Sequence, residues 1–335
     1  MTWLNNDPDR FDETSVRVRP PKKGSRARTK VRPSHDGSVL GMILSVDRGR
    51  YLALVDEGEA TEHTVIAKRA RELAKIPIVT GDLVNLVGDV SGETGTLARI
   101  VSIQERTTVL RRSADDSDTV ERVMVANADQ MLIVVAAANP EPRQRLVDRY
   151  LVAAFDAGIA PIICITKTDL AEPTEFLSHF TGLDVQVIRS RSDEPHVAEL
   201  LTALVGHRTV AVGHSGVGKS TLVNAVIPEA NRATGAVNEV TGRGRHTSSS
   251  TESFRVPGGG WLIDTPGVRS FGLGHVKPES IIAAFADLSE VSENCPRGCN
   301  HFDEDCAMVE AVSAGTLGEN AAARLDSVQR LLRSL

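Results

Sequence analysis

Aromatic residues are scarce, at 4% of 335 residues, so recognition of nucleic acid chiefly by stacking bases on rings is not expected. There is no surplus of positive charge. Lys plus Arg number 38 against 44 Asp plus Glu, a net charge of −6, so any attraction to phosphate has to come from local patches. No apolar run approaches the ~18 residues of a membrane span, and residues 1–12 lack the apolar stretch of a secretory signal. The expectation is a cytoplasmic chain without a membrane contact. Cysteine is limited to four residues, and in that compartment cysteines serve as metal ligands or reduced thiols more often than as disulfides. What is present is 41% hydrophobic residues and a length that accommodates two or three domains.

The run Gly213-His214-Ser215-Gly216-Val217-Gly218-Lys219-Ser220 fits G-x-x-x-x-G-K-[ST] at every fixed position. Residues 209–212 read as a short buried strand ahead of it, and the chain from Thr221 to Val226 reads as a helix after it. Glycines let backbone N–H groups turn inward around phosphate oxygens, and the helix start adds its positive dipole end. In that arrangement Lys219 reaches the β- and γ-phosphates and Ser220 holds Mg²⁺.

Upstream, the apolar run 131–136, a helical pattern through Leu146, Tyr150, Leu151 and Ala154, and the buried run 161–165 switch the chain to α/β. Cys164, inside that second run, reads as a small apolar filler. Thr166-Lys167-Thr168-Asp169 follows at the strand end. It parallels the N-K-x-D of guanine-nucleotide proteins, with Thr166 in place of Asn. A carboxylate at Asp169 accepts from guanine N1–H and the 2-amino group, while adenine offers an acceptor at N1 and no amino group there. A further strand over 185–188 brings Ser190 forward as a second contact on the base side.

Downstream lies the polar run from Thr241 to Thr251, suited to a loop that a Mg²⁺-bound γ-phosphate would order. Thr247 is the first choice for the Mg²⁺-sensing hydroxyl and Ser248 the second. Strand 261–263 then leads to Asp264-Thr265-Pro266-Gly267, which sets Asp264 near Mg²⁺ and the Gly267 N–H near the γ-phosphate. The order is unusual: the base motif precedes the phosphate loop. A circular permutation produces this order and preserves the site, because the termini of compact domains often lie close together.

Three flanking regions complete the chain. Residues 1–36 read as a disordered basic arm: Arg17, Arg19, Lys22, Lys23, Arg26, Arg28, Lys30 and Arg32 follow one another without an acid. The run fits phosphate binding and fits a solvated tail equally. Residues 37–112 carry short β runs with turn signals, a small barrel for which an OB-type fold is the natural candidate, although periodicity alone does not separate it from an SH3-like barrel. Near the end, Cys295, Cys299, His301 and Cys306 form C-x₃-C-x-H-x₄-C. Three thiolates and an imidazole make a closed tetrahedral Zn²⁺ site, structural because no coordination position stays open. Leu325, Val328 and Leu332 then mark a helix packed on this unit.

Together these motifs resemble the RsgA family, circularly permuted GTPases of small ribosomal subunit maturation. The resemblance spans about residues 37–335 and rests on Gly213–Thr221, Gly244-Arg-His246-Thr247, Asp264–Gly267 and the Cys/His cluster. It implies a multidomain α/β protein: an OB barrel (37–112), a permuted GTPase domain (113–275) and a helical zinc-binding domain (276–335). It also implies a GTP hydrolase that binds the 30S subunit and its 16S rRNA near the decoding region, acts as a monomer, and uses His246 where Ras-like proteins use Gln. The alternative, that His246 only caps a mobile loop, stays open. The chain departs from the family at Thr166, in the shortened interval from Cys295 to Cys299, at Leu325 and Val328 where tyrosines are frequent, and in the basic arm. Two other readings stay open: an ATP-dependent enzyme, against which Asp169 argues, and an RNA-binding module with a vestigial site, against which Lys219, Ser220 and Asp264 argue.

Overall fold

The structure, a computed structural model, describes residues 37–335 apart from 114–120, 181, 184, 192, 194–195, 231–250, 266–270, 272, 274–275 and 319. The first five strands are β1 (Val39–Asp47), β2 (Arg50–Val55), β3 (His63–Arg69), β4 (Leu83–Gly88) and β5 (Ala98–Ile103). They pair in the order β1-β2-β3-β5-β4, and β4 returns to β1 through Val39 opposite Leu86. This closed five-stranded order is the OB arrangement expected for the barrel. Alternate residues point inward, so Ile43, Tyr51, Ala53, Val65, Ala67, Val84, Leu86, Ala98 and Ile100 make one core.

A two-stranded ribbon, β6 (Val109–Ser113) with β7 (Glu121–Ala126), follows the barrel. It buries Leu110 and Val125 in the core of the next domain. Gly81 fixes the junction: at φ +89, a Cβ there would lie 2.0 Å from the Ala126 carbonyl oxygen, so only glycine fits.

Joined to β1 through the pairing of Ser45 with Glu252, the sheet continues into β8 (Gln130–Ala136), β9 (Ala160–Thr166), β10 (Gln186–Arg189), β11 (Arg208–Gly213), β12 (Glu252–Arg255) and β13 (Trp261–Asp264). The order of this part is β10-β9-β8-β11-β13-β12, parallel except for β12. Both faces are covered, which is why its strands read as continuous apolar runs. Met131, Ile133, Val135, Val210 and Val212 face one side, with helix α1 (Gln144–Asp156). Leu132, Val134, Ala136 and Ala211 face the other, with α3 (Val197–Leu204) and α4 (Lys219–Val226); α2 (Thr174–Ser178) lies between β9 and β10. Cys164 is fully buried and its thiol is pushed up to about 12 by burial, as suits an inert filler. From the centre, β8 connects towards one edge and β11 towards the other. Their junction is the topological switch point, where ligands of open α/β sheets bind.

Among the described residues, four helices follow: α5 (Pro278–Ile282), α6 (Ala286–Ser292), α7 (Ala307–Ser313) and α8 (Ala321–Leu332). Their apolar residues Ile281, Leu288, Met308, Leu325, Val328 and Leu331 join the same core as α1. Arg330 on α8 pairs with buried Asp148 on α1 at 3.2 Å. Among the described residues, no helix is long and apolar enough to cross a membrane.

Candidate functional site

β11 delivers the glycine-rich loop to the switch point. Gly213 lies opposite Val134 of β8, and a Cβ on it would come 2.7 Å from the Val134 carbonyl oxygen. The central strands can approach this closely only because that side chain is missing. Gly216 and Gly218 take positive φ, and α4 starts at Lys219. Lys219 is buried; its ammonium forms an ion pair with Asp264 and donates to the Thr265 carbonyl at 3.0 Å. Thr265 in turn donates to the Ala211 carbonyl at 2.6 Å, which holds the end of β13 against β11. Ser215, Gly216, Ser220 and Thr221 stay exposed, and the His214 ring lies 2.9 Å from the Ser215 carbonyl.

The base motif arrives from the other half of the chain. Thr166 closes β9, is buried, and donates its hydroxyl to the Val217 carbonyl of the phosphate loop at 2.5 Å. Lys167, at φ 58, donates to the Gly216 carbonyl at 2.8 Å and to the Asn139 carbonyl. The N–H and hydroxyl of Thr168 both point to the Ser190 carbonyl at 3.2 Å, and Ser190 is itself held by an N–H bond to Ile165. Asp169 lies in the turn that follows Thr168. The loop 166–169 is thus tied directly to 216–217, although some 50 residues separate them in the chain. Asn139 and the two loop carbonyls are invisible in the sequence, because backbone oxygens leave no mark in a motif.

β12 brings the chain back to the site, and its Glu252 pairs with Asp264 across β12 and β13. His246, Thr247, Ser248 and Gly267 lie outside the described residues.

A second cluster lies in the C-terminal region. The ligand atoms of Cys295, Cys299, His301 and Cys306 all fall within 4.8 Å of one another. Cys295 Sγ is 3.7 Å from Cys306 Sγ, and each is 3.8 Å from His301 Nδ1. Ligands at ~2.3 Å around a tetrahedral metal lie about 3.8 Å apart, whereas bonded disulfide sulfurs would lie about 2.05 Å apart. Donor type and spacing therefore fit Zn²⁺. The His301 N–H donates to Cys299 Sγ at 3.3 Å, and Gln329 on α8 donates to the His301 carbonyl at 2.8 Å, so the loop is braced from behind. Burial pushes the Cys306 thiol up to about 11, while N–H groups of Val309 and Met308 oppose it. A bound cation supplies the charge that holds such a group as thiolate.

The barrel carries a third feature. Arg50 stands opposite Lys68, and Lys68 opposite Arg99, so three cationic residues occupy adjacent positions across β2, β3 and β5, on strands about 4.8 Å apart. All three are exposed, and Asp47 flanks Arg50 at the end of the row. Like charges placed directly opposite one another are unfavourable in a sheet.

The chain has clear relatives. A family model described as RsgA GTPase matches residues 103–274. The chain is 37% identical over 289 residues to the small ribosomal subunit biogenesis GTPase RsgA of Pseudomonas syringae pv. syringae (strain B728a), covering 83% of this chain and 80% of that one. It is 35% identical over 267 residues to the small ribosomal subunit biogenesis GTPase RsgA 1 of Vibrio vulnificus (strain YJ016), covering 77% and 74%. Among solved structures, YloQ, a circularly permuted GTPase, superposes with a TM-score of 0.62 at 26% identity, covering 90% of this chain and 97% of that one. The fold also matches YjeQ from Thermotoga maritima, with a TM-score of 0.65 at 24% identity, covering 88% and 98%.

Proposed function

The chain belongs to the RsgA GTPase family and is a GTPase of small ribosomal subunit biogenesis, and on that premise we propose how its residues carry out the reaction. The working units are the basic arm (1–36), the barrel (37–112), the permuted GTPase domain (113–275) and the zinc-binding domain (276–335). GTP lies with its phosphates on residues 213–221 and its guanine against Lys167 and Asp169, with Thr166 and Thr168 holding that loop in place. The observation that carries this reading is the pair of ties from Thr166 to Val217 and from Lys167 to Gly216. They join a base loop and a phosphate loop that the permutation puts in reversed order.

Ser220, Thr247 and Asp264 would hold Mg²⁺, which would supply charge neutralisation to the phosphates. Lys219 reaches the β- and γ-phosphate oxygens by leaving its ion pair with Asp264. His246 orients a water molecule for attack on the γ-phosphorus. The bond to the β–γ bridging oxygen breaks, GDP departs, and the water proton ends on phosphate. Charge that develops on the transferred group is met by Lys219 and by loop N–H groups, including that of Gly267.

The protein works in the cytoplasm as a monomer on the 30S subunit, which stimulates hydrolysis. The Arg50–Lys68–Arg99 row supports a contact with 16S rRNA through phosphates rather than bases, in keeping with the scarcity of aromatic residues. Zn²⁺ at the Cys/His cluster is structural. The nucleotide assignment is tested by turnover with GTP and ATP in wild type and Asp169→Asn. The wild type is expected to prefer GTP. The variant is expected to gain xanthosine triphosphate, because an amide can donate to the xanthine 2-carbonyl where the carboxylate only accepts. An unchanged GTP preference in the variant removes Asp169 from the base site.

A further inference from the structure

The barrel and the nucleotide site meet at one carboxylate. Glu57 lies in the loop between β2 and β3. Trp261 donates its indole N–H to Glu57 Oε1 at 2.5 Å, and Arg208 donates from Nη2 to Glu57 Oε2 at 3.3 Å. Arg208 opens β11 and Trp261 opens β13, and the two residues face each other in the ladder. Followed forward, these strands end at Gly213 of the phosphate loop and at Asp264. One side chain of the barrel therefore grips the rear of both strands that present the catalytic loops, about 10 Å from Asp264 at three residues of strand rise.

The grip is stiff on both sides. The Glu57 loop is braced by Thr61 to Asp56 at 2.8 Å, Gly58 N–H to Glu62 at 2.8 Å and Glu59 N–H to Asp56 at 3.0 Å. Glu62 pairs with Arg255, whose guanidinium lies over the Trp261 ring at 4.8 Å. Trp261 also packs on Met42, Leu44 and Leu54 of the barrel. At the front, the barrel touches the neighbouring strand as well: Thr80 donates to the Thr251 carbonyl at 3.2 Å, and Ser45 pairs with Glu252, which faces Asp264.

We propose that Glu57 is a positioning residue that couples the barrel to the nucleotide site, so that a load on the barrel shifts β11 and β13 together and resets Lys219 against Asp264. The inference deepens the reading of a subunit-stimulated GTPase and rests on it. By linkage, nucleotide must then be felt at the junction as strongly as the junction is felt by nucleotide.

Trp261 reports on this directly, since the only other tryptophan is Trp3. In full-length Trp3→Phe protein, Trp261 emission is followed while Mg²⁺ and GDP or a non-hydrolysable GTP analogue are added, with binding scored separately by a fluorescent nucleotide. Turnover is measured in parallel with and without 30S subunits. The Trp261 emission is expected to differ between the two nucleotides. Glu57→Ala is expected to lose that difference, keep its melting temperature and its GTP KM within about twofold, still pellet with 30S, and show stimulated turnover lowered about tenfold. Glu57→Gln, which keeps an acceptor for Trp261, is expected to recover part of both effects. Full stimulation and an unchanged Trp261 response in Glu57→Ala would overturn the proposal. If the wild type binds GTP but the subunit does not stimulate it, the reading of subunit stimulation fails on its own, and the Trp261 response still decides whether Glu57 couples the two domains.

Discussion

The hydroxyl of Thr166 donates to the Val217 carbonyl at 2.5 Å, which makes a strand end from one half of the chain the brace of the phosphate loop from the other. Threonine at this position keeps the brace and leaves no amide to reach a base. Thr166→Val, equal in shape and lacking the hydroxyl, is expected to weaken GDP binding about fivefold, the worth of roughly 1 kcal/mol for a buried hydrogen bond. Thr166→Asn restores a donor and is expected to bind at least as tightly as wild type. A titration with fluorescent GDP reads both, and unchanged affinity in Thr166→Val would show that the brace is idle.

The Cys295–Cys299–His301–Cys306 cluster lies in a region that shares its core with α1. Loss of the metal should therefore be felt beyond the loop. The purified protein is expected to carry one zinc per chain, and chelation or Cys306→Ser is expected to lower the melting temperature. GDP affinity should change less than about threefold, since α4 packs in the other core, with Leu222 and Val226 on Leu132 and Val134. Elemental analysis, thermal melts and nucleotide titration check the three parts. A zinc-free protein with an unaltered melt would refute the structural role.

The cation row on the barrel predicts a salt signature. Replacing Arg50, Lys68 and Arg99 together by Gln is expected to weaken 30S binding at low salt far more than at high salt. The slope of log affinity against log salt should fall by about 0.7 to 0.9 for each phosphate that the protein no longer neutralises. Equal weakening at every salt concentration would mean that the row does not act through phosphates.

What can be read from the chain alone follows how locally each feature is specified. Phosphate and zinc impose spacing within a dozen residues, so Gly213–Ser220 and Cys295–Cys306 are legible as written. The buried strands 131–136 and 161–165 are legible because both of their faces are covered. β3, His63–Arg69, leaves a weaker mark: only Val65 and Ala67 of its seven residues are buried, and Ile66 between them is exposed, which blurs the alternation of a half-buried strand. Arg50, Lys68 and Arg99 form a row only through the register of three strands. Glu57 meets Arg208 and Trp261 across more than 150 residues. No local pattern encodes either. The choice between OB and SH3-like barrels is of the same kind, settled by β4 returning to β1.

The chemistry of this GTPase is expected to wait for the small subunit. Turnover that depends on His246 aligning the attacking water is expected to be slow until the subunit is bound. The decisive measurement is single-turnover GTP hydrolysis with and without purified 30S subunits, in wild type and in His246→Ala. The account predicts slow hydrolysis alone, stimulation of about 10- to 100-fold by 30S, equivalent to ~1.4 to 2.7 kcal/mol of barrier, and loss of that stimulation in His246→Ala with GTP binding retained. Equal turnover with and without the subunit, in a wild-type protein shown to bind it, would contradict the account.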